Sequence, residues 1–245
     1  SGIGGMVAKI FFIPLIIHEQ NAIPGTTNKL LGKFAQQSLQ AFDNTFDLSI
    51  NAVTVGNPIL FTPEPKNTPE LVNNLLVLGG SLGAQKINET ITNIKTPLNI
   101  WHQTGVKHLE SVKLAYKNNP NTNLCIEPFI ENMAEAYAWA DVVVCRAGAM
   151  TVSELVATKT IAILVPFPYA VDNHQTKNAQ FLSDHGAGIL LEESLLNTEA
   201  LDMQLRSLNT NKLKDMTSAL ESLQIACPEK TIVDYILIPN RSKSS

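Results

Sequence analysis

Leu75-Leu76-Val77-Leu78-Gly79-Gly80-Ser81-Leu82-Gly83-Ala84 decides how the rest of the chain is read. Four consecutive apolar residues without polar alternation suit a strand buried on both faces. The glycines behind them let the backbone turn sharply and come close to a ligand, and a helical pattern begins at once after the turn. A helix start presents unpaired N–H groups and partial positive charge, which favours phosphate. Ser81 adds a hydroxyl donor, and Gly80 lies in the turn. The same string also serves as a tight strand-to-helix turn without a ligand. The spacing is not G-x-G-x-x-G, and no acidic residue about 20 positions on ends a second strand, which disfavours a nicotinamide dinucleotide.

Working outward, the unit repeats. Short apolar runs recur at 99–103, 123–126, 142–145, 161–165 and 188–191, and helical patterns lie at 84–95, 107–117, 132–138, 151–158 and 173–184. Strands alternating with helices predict right-handed βαβ units and a parallel sheet covered on both faces. Six strands in this rhythm predict an α/β, Rossmann-like domain over 74–228. Helical segments at 198–208 and 211–223 follow, and Cys227-Pro228 interrupts the chain before a carboxyl-terminal helix and tail at 229–245. That last segment is expected to pack back on the first part of the molecule. Upstream, 61–73 carries Pro63, Pro65 and Pro69 with little apolar content and reads as a linker. Residues 1–60 hold an apolar run ending at His18, a helix near 26–36 and short strands near 39–42 and 53–55. These are too few for a whole α/β domain, so they are expected to be its closing units. The chain opens with Ser1 and with Gly2, Gly4 and Gly5, which reads as a Gly-rich turn with an upstream portion expected before it.

The 245 residues are 44% hydrophobic and 16% charged, enough for a full core. A net charge of -4 with scattered basic residues argues against nucleic acid as a partner. Cys125, Cys145 and Cys227 lie far apart with no metal spacing; the first two fall in apolar strands and read as buried thiols in a reducing compartment. No metal site and no cofactor are expected. No apolar run approaches the roughly 20 residues of a membrane span. Met6, Ile10 and Phe11 read as core contacts in preference to a membrane-interfacial patch.

Two further loops resemble the first. Val142 to Cys145 enters Arg146-Ala147-Gly148-Ala149-Met150-Thr151-Val152-Ser153-Glu154, a small-residue turn before a helix. Glu154, expected in that helix's first turn, suits a bidentate contact to vicinal ribose hydroxyls; the alternative is a capping-region carboxylate with Thr151 or Ser153 as cap. Pro166-Phe167-Pro168, then Asp172-Asn173-His174-Gln175 and Asn178, follows another strand and suits a hydroxyl-rich ligand, or else a polar loop capped by Asp172. Three such loops at one rim point to one ligand, because open parallel sheets bind outside their strand carboxyl ends.

The strings His18-Glu19-Gln20-Asn21, Gly56-Asn57-Pro58, Gly79 to Ala84, Trp101-His102-Gln103-Thr104-Gly105, Tyr137-Ala138-Trp139-Ala140-Asp141, Cys145 to Ala149 and Thr151 to Glu154 closely resemble the MurG family of glycosyltransferases, nearly from end to end. The resemblance implies a GT-B architecture, two Rossmann-like domains across a cleft. It implies inverting, metal-independent transfer of N-acetylglucosamine from UDP-GlcNAc to undecaprenyl-pyrophosphoryl-MurNAc-pentapeptide (lipid I), giving lipid II for peptidoglycan. The expected location is peripheral, on the cytoplasmic face of the bacterial inner membrane. Position by position, it implies Ser81 and its turn at the diphosphate, Ile130 giving backbone hydrogen bonds to uracil with Phe129 beside it, and Ala149, Met150, Thr151, Val152 and Ser153 at the helix start. Glu154 would take the ribose, Gln175 and Asn178 sugar hydroxyls, and Asn21, with His18 nearby, would reach in from the first domain; Arg146 lies in the same string. His18 equally suits a structural role at a strand end. Leu60 stands where the family has Arg, which implies weaker donor affinity or weaker uracil discrimination. The family's first Gly-rich loop, ending in a His suited to act as base, has no counterpart here, and residues 1–9 resemble a later Gly-rich loop. No catalytic residue is therefore assigned, and the chain alone is expected to bind donor but turn over poorly. The alternatives are another GT-B-like enzyme, such as a UDP-sugar 2-epimerase or a different glycosyltransferase, and a non-enzymatic UDP-sugar-binding remnant.

Overall fold

The computed structural model describes residues 2–80, 83–117, 119, 123–170 and 173–237. Helix α1 (Gly2–Ile10) leads to β1 (Ile16–Glu19), α2 (Thr26–Gly32), β2 (Gln37–Gln40) and β3 (Val53–Thr54). These three strands pair in parallel in the order β1-β2-β3. The larger unit follows as β4 (Asn74–Leu78), α3 (Gln85–Ile91), β5 (Asn99–Gln103), α4 (Leu109–Tyr116), β6 (Leu124–Glu127), α5 (Met133–Trp139) and β7 (Val142–Cys145). It continues with α6 (Ala149–Thr158), β8 (Ile161–Leu164), α7 (His174–Asp184), β9 (Ile189–Leu190), α8 (Thr198–Ser207), α9 (Thr210–Ser222) and α10 (Pro228–Leu237). No helix among the described residues is long and apolar enough to cross a membrane.

The larger sheet is parallel throughout, in the order β6-β5-β4-β7-β8-β9. Connections run outward from β4 in one direction and from β7 in the other, so the strand order reverses between these two neighbours. Helices on both faces explain the unbroken apolar runs: every residue of β7 and β8 is buried, as is Leu75 to Leu78 of β4.

The edges behave differently. Strand β6 has one neighbour only, and Cys125 on it is exposed, which corrects its reading as a buried thiol; Cys145 on the central β7 is buried as expected. The opening glycines do not form a loop. They lie in α1, where Gly5 is buried and a Cβ there would come within 2.7 Å of both Leu31 methyl groups. Small residues let α1 sit directly on α2, a packing demand that a turn reading of the glycines overlooks. With Gly5 as its only buried residue, α1 leaves Met6, Ile10 and Phe11 outside the core, at 47%, 67% and 70% exposure. Their reading as core contacts is thus overturned.

The proline-rich segment is anchored onto the larger unit. Phe61 stacks on Tyr137 with ring centroids 5.9 Å apart. Lys66 donates to the carbonyls of Tyr137 and Ala140, at the carboxyl end of α5, and to Thr160 Oγ1. A cation there complements the unpaired carbonyls and the negative end of the helix. At the far end of the chain, Ile225 and Pro228 lie against Gly56, which follows β3.

Beneath the sheet, His102 on β5 is wholly buried between Tyr116 Oη at 2.9 Å and Asn88 Oδ1 at 3.0 Å. Burial pulls its pKa from 6.5 down to about 3, so the folded protein keeps a neutral imidazole where the unfolded chain protonates. Between about pH 6.5 and 3 the unfolded state binds the extra proton, and stability falls as pH falls, by up to about 1.4 kcal/mol per unit. His102→Gln is expected to flatten that slope in urea denaturation series run from pH 7 to 4.5; an unchanged slope would exclude His102 as its source.

Candidate functional site

The reversal between β4 and β7 sets two strand-to-helix turns side by side. In the first, Gly83 has φ of +79° and Gly80 of +75°, backbone that disfavours a side chain. A Cβ on Gly83 would run into the Thr104 carbonyl oxygen and sit 2.7 Å from His108 Cδ2; one on Gly79 would lie 2.6 Å from Ala84 N. Asn88 in α3 donates to Thr104 O at 3.0 Å and accepts at His102, so the buried imidazole network fixes the wall against which the glycine turn is folded. Ser81 lies outside the described residues.

In the second turn, α6 begins at Ala149, two residues earlier than the pattern suggests, because Gly148 takes the N-cap position. No side chain caps it. The first intrahelical bond runs from Val152 N to Gly148 O, so the N–H groups of Ala149, Met150 and Thr151 precede the ladder. Val152 itself spends its N–H on that bond and buries its side chain in the core. Neither Thr151 nor Ser153 is the cap, and Glu154 falls in the helix's second turn, not its first.

A cavity of about 860 Å³ opens outside these strand ends. It collects Gly80, Phe129, Ile130, Arg146, Thr151, Glu154 and Gln175 from seven separate positions in the sequence. Glu154 accepts a hydrogen bond from Tyr137 Oη at 2.9 Å. Burial raises its pKa, partly offset by that bond. Ile130 is almost fully buried, and its N–H donates to Gln103 Oε1 at 3.1 Å. Half-buried Arg146 pairs with Glu193, donates to the carbonyls of Val165 and Pro166, and stacks over Phe167 at 5.4 Å. It therefore braces the third loop, where Gln175 Oε1 accepts from Phe167 N at 2.9 Å. Asp172 lies outside the described residues; the residue at the N-cap of α7 is Asn173.

His18, Asn21, Ser153 and Asn178 stand elsewhere, where the smaller sheet meets the larger. Ser153 Oγ donates to Ala149 O and accepts from Asn57 Nδ2, which also donates to Gln20 O. Asn178 bonds Asn21 and Ala22. His18 Nε2 is 2.9 Å from Gly56 O, which can only accept, so the proton sits on Nε2; burial lowers this imidazole's pKa. That is the structural role at a strand end. Leu60, 95% exposed, lines a second cavity between the sheets and not the first.

Residue-by-residue reading of the sequence missed four contributors. Buried Glu19 accepts from Asn21 N and Nδ2, Gly25 N and Asn28 Nδ2, and so folds the loop after β1. Gln103 holds Ile130, Tyr137 holds Glu154, and Asn57 bridges the sheets. A carboxylate directly after the histidine that ends an apolar run was the signal available for Glu19. The other three depend on partners distant in sequence.

Comparison with known proteins agrees with this geometry. Residues 74–232 match the Glycosyltransferase family 28 C-terminal domain. Similar to this chain are the UDP-N-acetylglucosamine--N-acetylmuramyl-(pentapeptide) pyrophosphoryl-undecaprenol N-acetylglucosamine transferases of Vesicomyosocius okutanii and Acinetobacter baylyi. The first is 53% identical over 97% of this chain and 68% of its own length, the second 42% over 96% and 69%. The chain thus spans about two thirds of the length of such relatives. The crystal structure of Acinetobacter baumannii MurG superposes with a TM-score of 0.83 at 39% identity, covering 96% of this chain and 71% of that one. The calicheamicin glycosyltransferase CalG4, at 13% identity and a TM-score of 0.58 over 100% of this chain and 60% of that one, shares the fold. Two parallel sheets meeting at a common rim, the matched domain and the identity to these transferases place the chain in the MurG family of glycosyltransferases, with a GT-B type α/β fold.

Proposed function

We propose that the cavity is a UDP-GlcNAc site and that it serves transfer of N-acetylglucosamine to undecaprenyl-pyrophosphoryl-MurNAc-pentapeptide. The observation that carries this reading is the uncapped start of α6 beside the glycine turn, with Glu154 and Ile130 on the same cavity. Unpaired N–H groups at one end suit a diphosphate, and the half-buried carboxylate of Glu154 suits two ribose hydroxyls. The backbone of Ile130 suits the edge of uracil, with Gln103 Oε1 releasing the Ile130 N–H as the base enters. Gln175 suits the sugar; Asn21, outside the lining of this cavity and bonded to Asn178 at the joint between the sheets, is the candidate to reach the sugar from the smaller sheet. In the reaction, the acceptor 4-hydroxyl attacks the anomeric carbon, the bond from that carbon to the diphosphate oxygen breaks, and the hydroxyl proton passes to a base. The start of α6 stabilises the charge that grows on the departing diphosphate. These 245 residues, which span about two thirds of the length of such relatives, are proposed to bind donor with weak turnover.

Titration calorimetry with UDP is expected to give saturable binding, and its absence would sink the donor reading. Transfer to a lipid I analogue at the rate of a complete relative would sink the claim of weak turnover. Glu154→Ala is expected to weaken UDP by about tenfold, the scale of a lost charge-assisted hydrogen bond. Glu154→Gln keeps an acceptor for Tyr137 and separates this loss from lost stability. Gly83→Ala forces a side chain into left-handed backbone against Thr104. It should cost about 1–3 kcal/mol in melting experiments and lose UDP binding as well.

The outward face of α1 supports a membrane surface as partner, with Met6, Ile10 and Phe11 exposed beside Phe12. Replacing Ile10 and Phe11 by Ser is expected to reduce co-sedimentation with anionic vesicles while leaving UDP affinity intact; undiminished sedimentation would rule this face out.

A further inference from the structure

The Ile130 N–H that would meet the uracil edge already has a partner within the protein. It donates to Gln103 Oε1 at 3.1 Å, and both residues line the donor cavity. Gln103 ends β5 and is 5% exposed. Its main chain is fixed by the sheet, opposite Leu78 on one side and Glu127 on the other. Its carboxamide has no further hydrogen bond among the described residues.

The segment carrying Ile130 takes its course from other bonds. Thr104 N donates to Glu127 O at 2.9 Å and Gly105 N to Pro128 O at 3.1 Å, which fixes the approach to Ile130. Beyond it, Asn132 Oδ1 accepts from Glu135 N and caps α5. What Gln103 supplies is an acceptor for a buried N–H, since Ile130 is only 1% exposed and an unmet donor there is costly. A base takes over that N–H only if it brings an acceptor of its own. Uracil carries a carbonyl oxygen at position 4; cytosine carries an amino group there, which donates and cannot replace Oε1. Uracil therefore exchanges one hydrogen bond for another, and gains less than it would against a free N–H.

We propose that Gln103 is an internal competitor for the uracil site: its Oε1 masks the Ile130 N–H until the base arrives, which weakens UDP and speeds its release. This role rests on the reading that Ile130 meets the uracil edge. It differs in sign from the two other roles open to Gln103. Removing a competitor tightens the ligand, whereas removing a direct contact to the base, or a brace of the loop, loosens it.

The test measures UDP, CDP and pyrophosphate affinities of the 245-residue chain, of Gln103→Met and of Gln103→Leu, which fill similar space without a carbonyl acceptor. Release of UDP is followed by stopped-flow displacement. The expected result is UDP held about fivefold more tightly, the scale of one net hydrogen bond, mostly through slower release. CDP and pyrophosphate, which do not compete for the Ile130 N–H, are expected to keep their affinities. UDP weakened or unchanged overturns the proposal, and so does equal tightening of UDP and CDP. If neither variant folds, the unaltered chain decides: its Gln103 side-chain amide resonances should shift on adding UDP and stay in place with pyrophosphate, and no shift with UDP overturns the competitor role. Pyrophosphate bound as tightly as UDP would instead remove the uracil reading on which the proposal stands, and no UDP binding at all would remove the donor reading.

Discussion

The parallel pairing of β4 with β7, register Leu75 opposite Val142 through Leu78 opposite Cys145, is the constraint from which the site follows. These strands are separated by two complete strand-helix units, yet they end side by side, and the chain leaves them in opposite lateral directions. Their helices cannot both cover the crevice they leave, so two helix-initiating turns face one space. Everything that suits an anion there, from the glycine turn to the uncapped start of α6, depends on that adjacency.

A second layer of the molecule stiffens what the sheet sets out. His102 has no access to ligand, yet through Asn88 it holds the Thr104 carbonyl against which Gly83 folds. Arg146, cationic and close to a phosphate-like site, is occupied with Glu193 and two backbone carbonyls. Tyr137 couples Glu154 to Phe61 of the proline-rich segment, so the segment joining the sheets touches a residue that touches the cavity's carboxylate. Buried polar groups are costly unless satisfied, and His102 and Tyr137 both find side-chain partners.

The contact between the sheets is polar where a binding surface would be expected. Asn57 with Ser153, and Asn178 with Asn21 and Ala22, join residues that family resemblance alone would assign to ligand. Beside these hydrogen bonds the joint holds apolar contacts, Phe42 with Phe181 at 4.7 Å and Ile225 and Pro228 against Gly56.

What the sequence determined by itself is the local alternation of strands and helices and the three turns at one rim. Unbroken apolar runs such as Val142 to Cys145 and Ile161 to Val165 suit a parallel sheet covered on both faces, and glycine turns mark where strand passes to helix. The motif strings likewise carried the family. Tertiary structure alone decided the rest. Cys125 is exposed because β6 is an edge strand, and Met6, Ile10 and Phe11 are exposed because α1 turns only Gly5 inward. Glu19, Gln103, Tyr137 and Asn57 gained roles from the groups placed against them. Periodicity reports which side of an element is apolar, a local property. Which donor meets which acceptor depends on pairs such as Ala22 and Asn178, 156 residues apart, and no local pattern encodes that.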